Sequence, residues 1–305
     1  VASAFVFPGQ GSQYCGMLRD YGAHPQVALA VEEASDALGL DLAALCAADA
    51  DPAALNDTAN TQPALLALSV GIFRAWFTEG GARPAVMGGH SLGEYSALVC
   101  GRSLELAEAA RLVRARGEAM KAAVPSGRKF GMRAVIGLSA SQVAEACAAH
   151  EGAHVVNLNS PIQTVVAGPE ESLEPAAALL REAGAKKIVP LAVSVPSHCP
   201  WMEPAVGPFG ERLEESAFAT PEIPVVQNAT LEPAGAPGDI RAALRAQLVS
   251  PVDWVAMVMR LYRDADRFVE CGPSSVLTGL NKRIAKSAAS ASLSSSERLA
   301  ELANE

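Results

Sequence analysis

Short apolar runs alternate with segments of helical spacing along almost the whole chain, and this alternation constrains the fold more tightly than any single motif. Strands separated by helices pair in parallel and bury both faces, so they read as continuous apolar runs. "SAFVF" at 3–7 is such a run and leads into the loop "PGQGSQ". "PAVMGG" at 84–89 is a second, and between them "QPALLALSVGIFRAW" opens a helix predicted over 62–78. Further on come a strand in "PVVQN", helices near 238–248 and 254–262, and a strand in "RFVEC". The fold class is therefore α/β with a mainly parallel sheet.

The middle of the chain follows a different order. A strand over 132–138, a helix over 140–150, a strand from 154, a strand over 163–168, a helix over 170–183 and a strand from 186 spell β-α-β-β-α-β. That is the ferredoxin-like unit. It is compact enough to be an inserted subdomain at 126–195, which leaves 1–125 and 196–305 as one large catalytic domain. The Ala/Ser-rich tail after about residue 287 is expected to be frayed or a marginal helix.

Composition excludes several function classes. A net charge of −9 argues against sequence-independent nucleic-acid binding, which depends on neutralising phosphates with Lys and Arg. Small acidic molecules must then be met by local basic residues. No run of about 18 apolar residues appears, so no membrane helix is expected, and "VASAFVFPGQ" lacks the features of a signal peptide. The expectation is a cytoplasmic, monomeric protein; a first residue of Val1 is what a processed or renumbered start would give. Cys15, Cys46, Cys100, Cys147, Cys199 and Cys271 are scattered without a CxxC pair, which suggests reduced thiols, with neither a disulfide framework nor a zinc site.

Gly89-His90-Ser91-Leu92-Gly93 matches G-x-S-x-G. Its physical content is a tight strand-to-helix turn that lifts the serine oxygen above the sheet. The helix starting at Leu92 aims free N–H groups at the same spot, where they would stabilise an oxyanion. The plainer alternative is a glycine-rich turn with an incidental serine. A nucleophilic serine needs a base, and there are five histidines. His90 is adjacent and should point away; His24, His150 and His154 suit surface or packing roles. His198, after the apolar run "LAVSVP" where the chain returns to the large domain, is the best candidate. No aspartate lies between Ser91 and His198, and the glutamates there read mostly as solvated helix faces. A Ser–His dyad oriented by a backbone group is favoured over a triad, against an ordinary esterase.

In "LELAEAARLVRARGEAMKAA", Arg111 and Arg114 fall off the apolar stripe, whereas Arg116 falls on it with Leu112, Val113 and Met120. A buried arginine needs an anionic partner. Either an internal glutamate serves, or the arginine clamps a substrate carboxylate.

Taken together, "FPGQGSQ", "TQPALLALS", "GHSLGEYSALV", "RLVRARGEAM", "NSP", "VSVPSHC" and "QLVSPVDW" closely resemble the malonyl-CoA:acyl carrier protein transacylases, which load malonyl units for fatty-acid synthesis. The matches run from about residue 3 to 285 in the family's order. The resemblance implies a large α/β-hydrolase-like domain with a ferredoxin-like insert. It also implies that Ser91 is the acyl-accepting nucleophile, His198 its base, and Arg116 the partner of the malonyl carboxylate. The N–H groups of Gln10 and Leu92 would form the oxyanion hole, Gln62 and Asn159 would line the cleft, and the Gln247 carbonyl would orient the histidine. Two features depart from the family pattern. Arg128-Lys129-Phe130 stands where a Gly-x-Met turn is usual, and Ser197 precedes the base where multidomain synthases often carry phenylalanine.

The implied partners are malonyl-CoA and a phosphopantetheinylated acyl carrier protein, with no metal or redox cofactor. Carrier proteins are usually acidic, so docking should need a basic patch; Lys282, Arg283 and Lys286, or Lys186 and Lys187, are candidates. The alternatives are a malonyl transferase of a polyketide or malonate decarboxylase system, a thioesterase or carboxylesterase using the same dyad, and a non-catalytic carrier-binding module.

Overall fold

In the computed structural model, which describes residues 2–305 apart from Ala23 and Ser194, β1 (Ser3–Phe7) lies at the centre of a five-stranded sheet. β2 (Val86–Gly89) and then β7 (Val225–Val226) flank it on one side; β9 (Arg267–Glu270) and then β10 (Ala289–Ser292) flank it on the other. Every pairing is parallel. The period of two along β1 sorts its side chains. Phe5 and Phe7 enter a core formed with the helices Pro25–Leu38, Thr58–Thr78, Gly93–Cys100 and Leu106–Ala122, while Ala4 and Val6 enter a second core with Trp254–Leu261 and Val276–Ile284. Both faces are covered, as a parallel sheet requires.

The second sheet is built from β3 (Phe130–Ile136), β4 (His154–Ser160), β5 (Gln163–Pro169) and β6 (Lys187–Pro190), in spatial order β6-β3-β5-β4 with antiparallel neighbours. The helices Ala140–Ala148 and Glu170–Glu182 complete the ferredoxin-like order. A fifth strand, β8 (Val252–Asp253), joins β4 in parallel from far along the chain. Its two residues are too few to carry an alternation signal.

Several boundaries differ from the sequence reading. The central helix begins at Thr58, because the Asp57 side chain caps it by accepting from Ala59 N, and Pro63 removes only one intrahelical bond. β3 starts at Phe130, ahead of the predicted 132, and β6 stops at Pro190. The tail is the clearest correction. Ala289–Ser292 adds to the sheet edge, and the helix Ser296–Ala303 buries Leu299 and Leu302, with Leu293 fully buried between them. Composition hid this because few apolar residues suffice to anchor an edge strand and a short helix. No helix among the described residues is long and apolar enough to cross a membrane.

Candidate active site

The carboxyl ends of the parallel strands converge on Ser91. β2 runs into the turn His90–Leu92, and the helix Gly93–Cys100 leaves from it. The turn closes tightly. A Cβ on Gly89 would lie 1.9 Å from the Gly93 carbonyl carbon, and one on Gly93 would lie 1.9 Å from Phe7 O. Ser91 itself has φ 54°, a left-handed conformation that a non-glycine residue adopts only under constraint. Asn228, beyond β7, supplies that constraint: its Oδ1 accepts from Ser91 N at 2.9 Å and its Nδ2 donates to Gly89 O at 2.7 Å.

His198 also has a left-handed φ, 64°. Its Nε2 is 2.7 Å from Ser91 Oγ, and its Nδ1 is 2.8 Å from the Gln247 carbonyl oxygen. A carbonyl only accepts, so Nδ1 carries the proton and the Nε2 lone pair faces the serine. Burial first, and then the charge of Arg116, push the imidazole pKa down to about 3. At neutral pH the ring is an uncharged proton acceptor. The missing aspartate is thus replaced by a main-chain oxygen.

Arg116 is 1% exposed, yet no carboxylate pairs with it among the described residues. Nη1 donates to Gln62 Oε1 at 2.8 Å, Nη2 donates to Gln247 Oε1 at 3.0 Å and to Ser91 Oγ at 3.3 Å, and Nε has no partner among the described residues. Its guanidinium lies 5.5 Å from the centre of the Tyr95 ring. The internal ion pair considered from sequence is absent, leaving a buried cation beside the serine held by neutral amides. Gln62 is fully buried behind this arginine and also donates to Thr58 Oγ1, so it supports the guanidinium rather than forming the cleft wall. Gln10 Oε1 accepts from Thr58 Oγ1 at 2.6 Å. The main-chain N–H groups of Gln10 and Leu92 have no acceptor among the described residues. Asn159 Oδ1 meets His90 Nε2 at 3.0 Å, and the His90 ring packs 5.5 Å from Trp254. His90 is held away from Ser91 Oγ, as expected. His24 caps a helix by accepting from Gln26 N, which accords with the surface or packing role expected of it.

A cleft of about 460 Å³ opens above the serine. Gln10, Thr58 and His90 wall it on one side, and Met132, Asn157 and Leu191 from the second sheet's segment on the other. Ser197 and His198 close the end. The departure at Arg128-Lys129-Phe130 has a structural role beside it. Phe130 packs edge-on against Trp201 at 5.0 Å, and the Arg128 guanidinium lies 4.9 Å from the Trp201 ring while Arg128 Nε donates to Glu171 at 2.6 Å.

Sequence reasoning missed Glu94. It does not lie on a solvated face; it is fully buried and accepts from Gln247 Nε2 at 2.6 Å, Asn228 N at 3.0 Å and Gln227 Nε2 at 3.4 Å. Burial pushes its carboxyl up to about 7 against the opposing effect of those donors. A signal existed: "GEYSALVC" is otherwise uncharged and apolar all round, so the helix is buried and its one carboxylate must be partnered.

A serine at a strand-to-helix turn with a histidine in reach and free amides above it is the arrangement of an acyl-transferring enzyme on an α/β fold. The chain belongs to the acyl transferase domain family, which it matches over residues 4–301. Within that family it is similar to the malonyl CoA-acyl carrier protein transacylase of Escherichia coli (strain K12), 49% identical over 287 residues that cover 92% of each chain. It is also similar to the solved malonyl CoA-acyl carrier protein transacylase of Coxiella burnetii, 40% identical with a TM-score of 0.95, covering 99% of this chain and 97% of that one. A malonyl-transacylase solved in complex with its type II polyketide synthase acyl-carrier protein is 44% identical, with a TM-score of 0.96 over 100% of this chain and 99% of that one.

Proposed function

We propose that this protein transfers a malonyl group from malonyl-CoA to the phosphopantetheine thiol of an acyl carrier protein, supplying fatty-acid synthesis. The observation that carries the reading is Arg116, a buried cation paired with no carboxylate among the described residues, whose Nη2 lies 3.3 Å from Ser91 Oγ. A malonyl carboxylate completes it. A neutral acyl group leaves it unpaired.

The reaction is a two-step exchange through a serine ester. Ser91 Oγ attacks the thioester carbonyl as its proton passes to His198 Nε2. The oxyanion is held by the N–H groups of Gln10 and Leu92. The intermediate collapses, the C–S bond breaks, and the CoA sulfur leaves with the proton from His198. The carrier thiol then gives its proton to His198 and attacks the ester carbonyl; the C–O bond breaks and Ser91 Oγ recovers the proton. Thioester is exchanged for thioester, so the chain needs only to lower barriers and to favour thiol over water.

In the same reading, residues 1–125 and 196–305 form the catalytic domain and 126–195 the smaller one. The β4–β8 pairing and the bond from Trp201 Nε1 to Gly152 O at 2.9 Å hold them together. Unpaired thiols, five of the six cysteines buried, support a cytoplasmic setting. Lys186, Lys187, Lys282, Arg283 and Lys286 are all exposed and open to an acidic carrier.

The test is to incubate the protein with malonyl-CoA in the presence and absence of a phosphopantetheinylated carrier. Malonyl-carrier should form with little free malonate. Rapid release of malonate regardless of carrier would identify a thioesterase. A panel of fatty-acid and polyketide carriers separates the two malonyl-transfer settings.

A further inference from the structure

We propose that the Glu94 carboxylate and the Gln247 side chain act as positioning groups that fix which end of the Gln247 amide faces Arg116, and so keep the guanidinium free of any resident carboxylate. The proposal rests on the malonyl-transfer reading and says how this chain holds its carboxylate clamp open. It concerns the Gln247 side chain, distinct from the main-chain oxygen that orients His198.

Gln247 sits between the Glu94 carboxyl, which is ionised above about pH 7, and a buried cation. Its Nε2 donates to Glu94 Oε2 at 2.6 Å and to Ser91 O at 3.2 Å, while its Oε1 accepts from Arg116 Nη2 at 3.0 Å. An ionised carboxylate only accepts and a guanidinium only donates. The amide is therefore oriented from both ends, with its NH2 toward Glu94 and its oxygen toward Arg116. Glu94 is fixed in turn by Asn228 N and Gln227 Nε2, so among the described residues each polar group bonded to its carboxyl is a donor.

The spacer matters because of what it prevents. Two unit charges at this burial attract strongly, and direct contact between Glu94 and Arg116 would satisfy the guanidinium. An incoming acyl carboxylate would then have to displace a resident one. With the amide interposed, Arg116 is held by two neutral side-chain oxygens and the serine, and its Nε has no partner among the described residues. The same side chain also grips the Ser91 carbonyl oxygen, so the clamp and the nucleophile share one support.

Three variants test this: Glu94→Gln, Gln247→Glu, and the double variant Glu94→Gln/Gln247→Glu. The readout is the ratio of Ser91 acylation rates with malonyl-CoA and with acetyl-CoA, followed by intact-protein mass. In Glu94→Gln the amide loses the charge that orients it, and the ratio should fall about tenfold. Gln247→Glu places a carboxylate directly on Arg116, and the ratio should fall about 10²-fold. The double variant moves the carboxylate to the Arg116 side without crowding two anions, so it should fold and still discriminate poorly. A merely structural role would lower both rates together. A wild-type ratio in the double variant, or in the isosteric Glu94→Gln should the double variant not fold, overturns the proposal, as does an equal loss of both rates. Arg116→Ala, run alongside, separates the two ideas: if it too leaves the ratio unchanged, the malonyl reading itself has failed.

Discussion

Replacing Arg116 by alanine tests the interaction proposed to distinguish a malonyl group from other acyl groups. The side chain is 1% exposed, and among the described residues its hydrogen-bonding groups meet Gln62, Gln247 and the serine. Once it is gone, a carboxylate bound beside Ser91 meets two amide oxygens and no cation. Leaving one member of a buried pair uncompensated costs about 3 to 5 kcal/mol, which is roughly 10² to 10³-fold or more in kcat/KM. Acetyl-CoA presents no charge there, and in the wild type it leaves the arginine itself unsatisfied. The expected outcome is a steep loss with malonyl-CoA while acetyl transfer holds or rises. The assay is kcat/KM for both thioesters in both proteins, with thermal melting to confirm that the variant is folded. Equal losses for the two substrates would make Arg116 a structural residue and refute the argument.

The pH dependence follows from His198. Its pKa is depressed from 6.5 to about 3 by burial and by Arg116, with His90 adding to the depression and the Gln247 carbonyl opposing it. The base therefore stays unprotonated through mildly acidic pH, and kcat/KM with acetyl-CoA should stay level from neutrality down to about pH 5, while the malonyl-to-acetyl ratio falls by up to about tenfold as Glu94 takes its proton near pH 7; in Arg116→Ala the acid limb should move to higher pH. For stability, the unfolded histidine binds a proton below 6.5 that the folded one resists, so its contribution is complete above pH 6.5 and is lost as pH falls toward 3. An acid limb centred near 6.5 with acetyl-CoA in the wild type would contradict this. Deleting residues 289–305 removes β10 and uncovers the surroundings of Leu293, Leu299 and Leu302. At about 1.5 to 3 kcal/mol for each buried leucine, the loss should exceed about 4 kcal/mol, and a melting temperature equal to that of the full chain would show that the tail is not part of the core.

Legibility in the sequence tracked how local each signal is. β1, β2 and the elbow at Ser91 were readable because a continuous apolar run and a glycine-flanked serine are fixed by residues within a few positions of one another. The ferredoxin-like order was readable for the same reason. Arg116 announced its burial by its place on an apolar stripe, but not its partners, which come from positions 62 and 247. Asn228 and Glu94 meet across 134 positions, and nothing near either residue marks the pairing. β8 and the tail were obscured by brevity and by small side chains: the pairing of Val252–Asp253 with β4, and the burial of three leucines in an Ala/Ser-rich segment, are decided by distant surfaces.

The central claim is that Ser91 carries the malonyl group between two thiols. Intact-protein and peptide mass spectrometry after brief exposure to malonyl-CoA tests it most directly. One malonyl adduct should appear, located on Ser91, absent in Ser91→Ala, stable in buffer over the time of the measurement, and removed on adding a phosphopantetheinylated carrier that gains the same mass. An adduct on another residue, no adduct while malonyl transfer proceeds, or an adduct that the carrier thiol leaves in place would contradict the account.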